Sequence, residues 1–281
     1  MKLLKNQFIA SSHVDKQGDI FPVSVLSSMV DQANSSYIPF GVEHDPRIPP
    51  LGRIRKTRLK LLPDGECAIE GDVEFFDDQS LPALDKTRKM PMPSLDKPMV
   101  AYDRSYKDAE NQKIIRKISR ALGEKPKEEF KKSLDPVSAL EILGLFVIGN
   151  FAGGFVNKIG ADSWDVVKSG LKKLTRRGPK GQLFSFIFDA QDDSGRIVVE
   201  MILTDPKSDD IEKFLSSDLP QLYGALKPIL ATEGLCKLVL ESKCDKVKIL
   251  YGVRSDCVPV QLATNSVELG SAQRLNKGNK N

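Results

Sequence analysis

The residues with the clearest chemical potential lie together near the N-terminus, in the run Glu43-His44-Asp45. A histidine beside carboxylates can act as a general base, because an acid orients the imidazole and stabilises its protonated form. The same acids also favour a charged, salt-bridged histidine with a purely structural role. Two hypotheses for His44 therefore stay open at this point, a catalytic base and a structural ion pair.

Several short motifs surround His44 in a fixed order. The turn Asp15-Lys-Gln-Gly-Asp19 precedes a predicted helix, and His44-Asp45-Pro46 is followed by Pro50-Leu51-Gly52-Arg53 at the start of a predicted strand. This order resembles the phage prohead (capsid) maturation protease family, over roughly residues 7–76. The resemblance implies a compact β-barrel serine endopeptidase that trims scaffold and capsid proteins. It assigns the family's catalytic histidine to His44.

The nucleophile of such an enzyme is harder to place. The family carries its serine downstream, in a strand motif similar to L-S-I-G, and no such motif follows His44 here. The alternatives are Ser94, in a proline-rich loop, and Ser105, which follows the strand-like run 99–102. An unactivated serine is a poor nucleophile, so its position relative to His44 decides the matter. Asp45 or Glu43 would orient the histidine or merely flank it.

Composition excludes several classes of protein. With 40% apolar and 28% charged residues in 281, the chain is an ordinary globular protein of about two domains. The balance of 42 basic and 38 acidic residues does not favour nucleic-acid binding. Four cysteines without a C-x-x-C pair and two histidines argue against a zinc site, and no phosphate-binding glycine loop is present. We predict no metal and no cofactor, and a cytoplasmic chain with free thiols.

Two basic runs stand out from this balance, residues 53–60 with five basic residues and residues 168–180 with six. Neither run contains an acid. Such clusters can meet phosphate or anionic lipid, or they can simply form solvated faces.

The stretch Leu140–Val156 is the most distinctive in the second half of the chain, because residues 142–157 carry no charge. We expect an apolar helix that is hidden from water, paired with a basic amphipathic helix from Ser163 to Leu174 whose apolar residues Trp164, Val167, Leu171 and Leu174 share one face. The apolar helix is short for a membrane span. It would pack in a core, mediate a homo-oligomer, or place residues 140–174 against a membrane surface.

These patterns predict an α+β protein in four parts. They are a compact β-barrel, protease-like domain at 1–103, a helical segment with the apolar and basic helices at 104–180, a small α+β domain at 181–264, and a disordered tail at 265–281. In the last domain we expect strands near 183–188, 197–203, 235–240 and 247–251, with a helical region at 209–230 broken near Pro220.

Two functions are consistent with this organisation. The first is a serine endopeptidase-like module, intact or degenerate, that cleaves or binds extended protein segments such as a phage capsid or scaffold protein. The second is a non-catalytic recognition or defence-type sensor protein, which oligomerises or touches a membrane through the apolar helix.

Overall fold

The computed structural model describes residues 1–14, 18, 20–41, 45–76, 81–93, 99–102, 104–128, 139–147, 161–178, 180–192, 195–215, 219–243, 246–262 and 266–268. The chain divides into two units. Unit 1 consists of Met1–Pro93, Lys132–Asp135 and Val253–Val260, and unit 2 of Ser94–Lys131, Pro136–Gly252 and Gln261–Asn281. Each unit combines helix and sheet, so the predicted α+β class is confirmed. The domain boundaries expected from the sequence at 103, 180 and 264 stay predictions.

Unit 1 contains one antiparallel sheet and one helix. Its elements are β1 (Lys2–Ser11), α1 (Val23–Ser35), β2 (Ile38–Phe40), β3 (Gly52–Leu61) and β4 (Cys67–Phe75). The strand order is β1-β4-β3-β2, so β1 and β2 form the two edges. The compact β-barrel expected for residues 1–103 is therefore wrong as far as the described residues go, because a barrel requires its edge strands to pair. A three-residue β2 offers little backbone for such closure.

Local sequence explains the centre of this sheet. The turn Pro63-Asp64-Gly65 joins β3 to β4, and Gly65 adopts a φ of 87°, which glycine tolerates at no steric cost. Helix α1 is fixed to β3 by Asn34, whose side chain accepts from the N–H of Thr57 (2.9 Å) and donates to its carbonyl (3.0 Å). Ala33, Ile54 and Val73 form a buried cluster in this unit.

Unit 2 is built around a larger mixed sheet. Its helices are α2 (Ala109–Ala121), α3 (Ala161–Arg177), α4 (Ser208–Leu215) and α5 (Leu219–Leu230), with a short 3-10 helix at Arg104–Tyr106. Its strands are β5 (Met99–Tyr102), β6 (Lys127–Glu128), β7 (Ala139–Val147), β8 (Leu183–Asp192), β9 (Gly195–Thr204), β10 (Leu235–Lys243), β11 (Lys246–Arg254) and β13 (Ser266–Glu268). They follow the order β11-β10-β9-β8-β7-β5-β6, with β13 paired to β11. The remaining strand, β12 (Pro259–Val260), belongs to unit 1.

The described part of the apolar stretch Leu140–Val156, residues 140–147, is not the helix that the sequence predicted. Residues 139–147 form β7, which pairs in parallel with β8 and antiparallel with β5; residues 148–160 lie outside the described part of the chain. A short continuous apolar run is compatible with a strand as well as with a helix, because such a run lacks the alternation that marks a half-exposed strand. Among the described residues, no helix is long and apolar enough to cross a membrane.

The amphipathic helix after that stretch is confirmed as α3. Trp164, Val167, Leu171 and Leu174 are all buried, as their shared face predicted. Gly170 lies on the same helix against Ile118 of α2, where an added Cβ would stand 2.5 Å from Cγ1 of the isoleucine. The apolar face of α3 is therefore occupied inside the folded chain. The predicted disordered tail is also corrected in part, because Ser266–Glu268 form β13.

Candidate functional site

The loop between β2 and β3 carries the motif residues that the sequence singled out. Its described residues, 45–51, contain turns and no helix, as their prolines predicted. Gly52 then begins β3, and a Cβ on it would lie 2.4 Å from the carbonyl oxygen of Glu74. A side chain at position 52 would therefore collide with the backbone of β4.

Asp45 is buried and holds this loop in shape. Its carboxylate accepts from the backbone N–H and Nε of Arg47, both at 2.9 Å, and from Nη2 at 2.6 Å. A two-pronged arginine–carboxylate pair of this kind fixes both side chains in one geometry. Asp45 therefore has a structural role in fixing Arg47, independent of any role beside His44.

The other predicted catalytic residues are dispersed or lie outside the described residues. His44 and Ser94 are both outside them, as is Glu43. Ser105 is exposed in the 3-10 helix Arg104–Tyr106 and belongs to unit 2, whereas Asp45 belongs to unit 1. Of the predicted catalytic residues only Asp45 and Ser105 are described, and they belong to different units, so the catalytic assignment from the sequence stays a prediction.

Unit 1 does contain a serine, a histidine and an acid joined by hydrogen bonds. His13 is the other of the two histidines in the chain. Its Nδ1 lies 3.3 Å from Oγ of Ser11, and its Nε2 lies 2.7 Å from Oδ2 of Asp64. Ser11 is half-buried, while the side chains of His13 and Asp64 are 44% and 56% exposed. The side chains of His13 and Asp64 are therefore in contact with solvent.

The sheet brings these three residues together. Ser11 ends β1, and the chain bends at Ser12 and His13, where Nδ1 of His13 lies 3.3 Å from Oγ of Ser11. Asp64 sits in the turn between β3 and β4, and Gly65 N donates to the carbonyl of Leu62 there (3.0 Å). Ser12 ties the two segments, because its N–H donates to the carbonyl of Cys67 (2.8 Å) and its Oγ accepts from the N–H of Cys67 (2.9 Å).

The hydrogen bonds define which nitrogen of His13 can act as a base. When Nε2–H donates to Asp64, Nδ1 is left as an acceptor for the hydroxyl of Ser11. The bond from His13, followed by the N–H of Glu66, holds the pKa of Asp64 below its usual value. The acid therefore stays ionised at neutral pH. The arrangement is that of a hydroxyl, a base and an orienting carboxylate.

A second polar cluster in unit 1 is buried and surrounds Arg53, the last residue of the Pro50–Arg53 motif. Arg53 is 3% exposed; its Nε donates to Glu74 (2.7 Å) and its Nη1 to the carbonyl of Asp256 (2.9 Å). Its guanidinium also lies 4.2 Å from the centre of the Tyr37 ring. Asp85 accepts from the hydroxyl of Tyr37 (2.5 Å), and its bonds with Thr87 and Tyr37 lower its pKa.

Asp256 completes this cluster from the far end of the sequence. Its Oδ2 accepts from Nη2 of Arg254 (2.6 Å) and from the N–H of Asp85 (3.0 Å). Burial opposes the charged form, but the bonds from Arg254 and the Asp85 N–H outweigh it and keep the pKa of Asp256 below its ordinary value. A fully paired, buried network of this kind positions elements and is closed to substrate.

In the sheet of unit 2, a buried serine is hydrogen-bonded to a buried acid. Ser185 of β8 donates to Oε1 of Glu200 on β9 (2.7 Å), and Glu200 accepts from Lys237 of β10 (2.6 Å). Ser185 and Glu200 are 1% and 3% exposed. A hydroxyl so deeply covered cannot meet a substrate without a local opening, so we assign this set to the interior of the sheet.

Known proteins add no further constraint. Comparisons with protein-family models, with curated proteins and with solved structures found no match to this chain. The candidate site thus rests on the geometry of Ser11, His13 and Asp64.

Proposed function

We propose that unit 1 is a serine endopeptidase-like module that binds extended protein segments and acts on them with Ser11 and His13. The observation that carries this proposal is the hydrogen-bonded chain from Ser11 Oγ through His13 to Asp64, at 3.3 and 2.7 Å. The motif resemblance over residues 7–76 supports the endopeptidase class alone, because it assigns the catalytic histidine to His44 whereas this proposal assigns the base to His13. It also makes a phage capsid or scaffold protein the proposed kind of substrate.

The edge strand β1 supports the choice of an extended segment as substrate. An edge strand offers unpaired backbone groups, and an extended chain can add to it as a further strand. Leu3 and Phe8 on β1 are 46% and 63% exposed, which favours a segment with apolar side chains. Such a segment would run past Ser11, because this residue ends the strand.

The reaction follows from the three side chains. Oγ of Ser11 forms a bond to the carbonyl carbon of the substrate peptide while its proton moves to Nδ1 of His13. Asp64 stabilises the resulting imidazolium through Nε2–H. The proton then passes to the leaving nitrogen as the peptide C–N bond breaks, which leaves an ester on Ser11. Water then attacks the ester carbonyl and gives a proton to His13, which passes it to Oγ of Ser11 as the C–Oγ bond breaks and the carboxylic acid product leaves.

The two histidines of the chain provide a matched test. We expect a fluorophosphonate probe to label Ser11 in the wild-type chain, and peptide mass spectrometry would map the labelled residue. In parallel, we expect the wild-type chain to cleave an unfolded protein substrate. His13→Ala should lower both rates by about 10²–10⁴-fold, the usual contribution of a general base. His44→Ala is the control and should keep both rates within about twofold of the wild type, because the proposed mechanism does not use His44. A tenfold change in either rate would correspond to about 1.4 kcal/mol of activation free energy.

The possible outcomes distinguish a wrong assignment of the catalytic histidine from a wrong assignment of the peptidase function. Loss of labelling in His44→Ala alone would return the base to His44 and remove His13 from the mechanism. A wild-type chain that labels at no serine and cleaves no substrate would remove the peptidase function.

Recognition without cleavage is the second candidate, and one observation favours it. The distance of 3.3 Å between Ser11 Oγ and His13 Nδ1 is long for a bond that starts from a hydroxyl, whereas β1 is an accessible edge in any case. A wild-type chain that retains a fluorescent unfolded segment intact, with Ser11 unlabelled, would establish this candidate in place of the first.

A further inference from the structure

A concave site in unit 2 collects positive charge from three separate segments. It has a volume of about 450 Å³ and lies between the end of α3 and the start of α4. Arg176 comes from the last turn of α3, Lys180 follows that helix, and Lys207 immediately precedes α4. The hydroxyls of Thr175 and Ser208 also line the site.

The basic run at residues 168–180 is divided by its ion pairs. Lys168 and Lys172 pair with Glu212 of α4, and the bond from Lys172 lowers the pKa of that carboxyl. The cations of the concavity differ. Among the described residues, no carboxylate lies within ion-pair distance of Arg176, Lys180 or Lys207. The second half of the run therefore keeps its charge unneutralised.

Two acids in the same wall do not cancel this charge. Asp205 is engaged by the backbone, because its Oδ1 accepts from the N–H of Gly181 (2.7 Å) and of Gln182 (3.1 Å). Asp209 is exposed in the first turn of α4. Three cations against two carboxylates leave a net positive site, and the cations repel one another until an anion enters.

The donors in the site also have a defined arrangement. Nε of Arg176 donates to Oγ of Ser208 (3.2 Å), which holds the guanidinium beside the start of α4. Its planar Nη groups, two ammonium groups and a hydroxyl can together serve the several acceptor oxygens of one tetrahedral anion.

We infer that this concavity binds a phosphate group, either as part of a soluble phosphorylated compound or as a lipid headgroup. A phosphate carries enough charge and enough acceptor oxygens to engage all three cations, which a carboxylate does not. The inference is independent of the peptidase proposal, because every residue it uses belongs to unit 2.

The first test is a titration of the full chain with inorganic phosphate against chloride of equal ionic strength. Trp164 is the single tryptophan and is buried in α3, so its fluorescence reports the melting of unit 2. Phosphate should raise that melting temperature by mass action and shift the backbone NMR signals of residues 175–178 and 207–209. No difference between phosphate and chloride would overturn the inference.

Matched triple variants locate the site. Arg176→Gln/Lys180→Gln/Lys207→Gln should weaken phosphate binding at least tenfold, as measured by the NMR titration. Lys113→Gln/Arg116→Gln/Lys117→Gln removes the same charge from the exposed face of α2 and should bind as the wild type does. Equal binding by all three proteins would overturn the inference, and the NMR mapping on the wild-type chain stands even if a variant folds poorly.

Vesicles distinguish the two sources of phosphate. We would compare co-sedimentation with phosphatidylcholine vesicles that contain or lack phosphatidic acid, whose headgroup is a phosphate monoester. Binding that requires both phosphatidic acid and the three cations assigns a lipid headgroup. Phosphate binding without vesicle binding assigns a soluble phosphorylated ligand.

Discussion

At the scale of single residues, exposure decides which polar cluster of unit 1 can do chemistry. The His13–Asp64 pair is about half exposed, so its hydrogen bond adds little stability but leaves the histidine accessible to solvent. Arg53 and Asp256 are buried, so their contacts hold the fold and exclude a ligand. Arg53 ends the motif that resembles the protease family, yet its contacts give it a structural role. The last residue of that motif therefore serves to fix the start of β3.

Asp256→Asn tests the buried cluster. The substitution leaves Arg254 and Arg53 facing a neutral amide in a buried site, which should lower the free energy of unfolding at pH 7 by about 3–5 kcal/mol. Hydrogen exchange of peptides from β3 and β4 would measure this change. Asp31→Asn is the control, since Asp31 is exposed on α1, and it should change the free energy by less than about 0.5 kcal/mol.

The same pair of proteins predicts a pH dependence. The pKa of Asp256 is lowered in the folded chain, so its contribution is present above the ordinary value of 3.8 and is lost as the pH falls through the folded value. The gap in stability between wild type and Asp256→Asn should therefore narrow in acid. A gap that stays constant down to the acid transition would contradict the ionic role.

At the scale of elements, the sequence predicted most of what depends on local patterns. The buried face of α3 and the strands at 183–188 and 197–203 are confirmed. The apolar run was misread because Leu140–Val147 shows no period, and length alone cannot separate a buried strand from a helix. Turn residues and amphipathic spacing can be recognised in a sequence, whereas an apolar run without a period does not distinguish a strand from a helix.

The candidate site lay partly within reach of the same reasoning. Ser11 and His13 are two residues apart, so their proximity can be recognised in the sequence itself. Asp64 is 51 residues from His13, and its approach depends on the pairing of β1 with β4, which no local pattern specifies. The Arg53 cluster was further out of reach, because 203 residues separate Arg53 from Asp256.

Two helical glycines test how α2 and α3 pack. Glycine to alanine in an open helical position stabilises by about 0.5–1 kcal/mol, and Gly224 of α5 has open space around it. Gly170→Ala would instead press its Cβ to 2.5 Å from Ile118, and such overpacking costs about 1–3 kcal/mol. We expect opposite signs in urea unfolding followed by Trp164 fluorescence. A stabilising Gly170→Ala would show that α2 and α3 are not in close contact there.

At the scale of the whole molecule, unit 1 is assembled from both ends of the sequence. Val253–Val260 belongs to it together with Met1–Pro93. Besides the contacts of Asp256, the N–H of Met90 donates to the carbonyl of Ser255 (2.6 Å), and Sγ of Cys257 donates to the carbonyl of Tyr37 (3.3 Å). A segment near the C-terminus thereby supplies hydrogen-bond partners to Tyr37, to Arg53 at the start of β3 and to the segment that contains Asp85 and Met90.

Truncation measures what this segment contributes. A chain ending at Leu262 keeps Val253–Val260 and lacks β13, whereas a chain ending at Gly252 lacks both, so their difference isolates the segment. Loss of the partners of Arg53, Tyr37 and Asp85 should cost unit 1 about 3 kcal/mol, which corresponds to roughly hundredfold faster hydrogen exchange in β3 and β4. The chain ending at Leu262 should exchange there at the full-length rate. Equal protection in both truncated chains would mean that Met1–Pro93 folds without its distant segment, and that the buried Arg53–Asp256 contacts follow folding instead of supporting it.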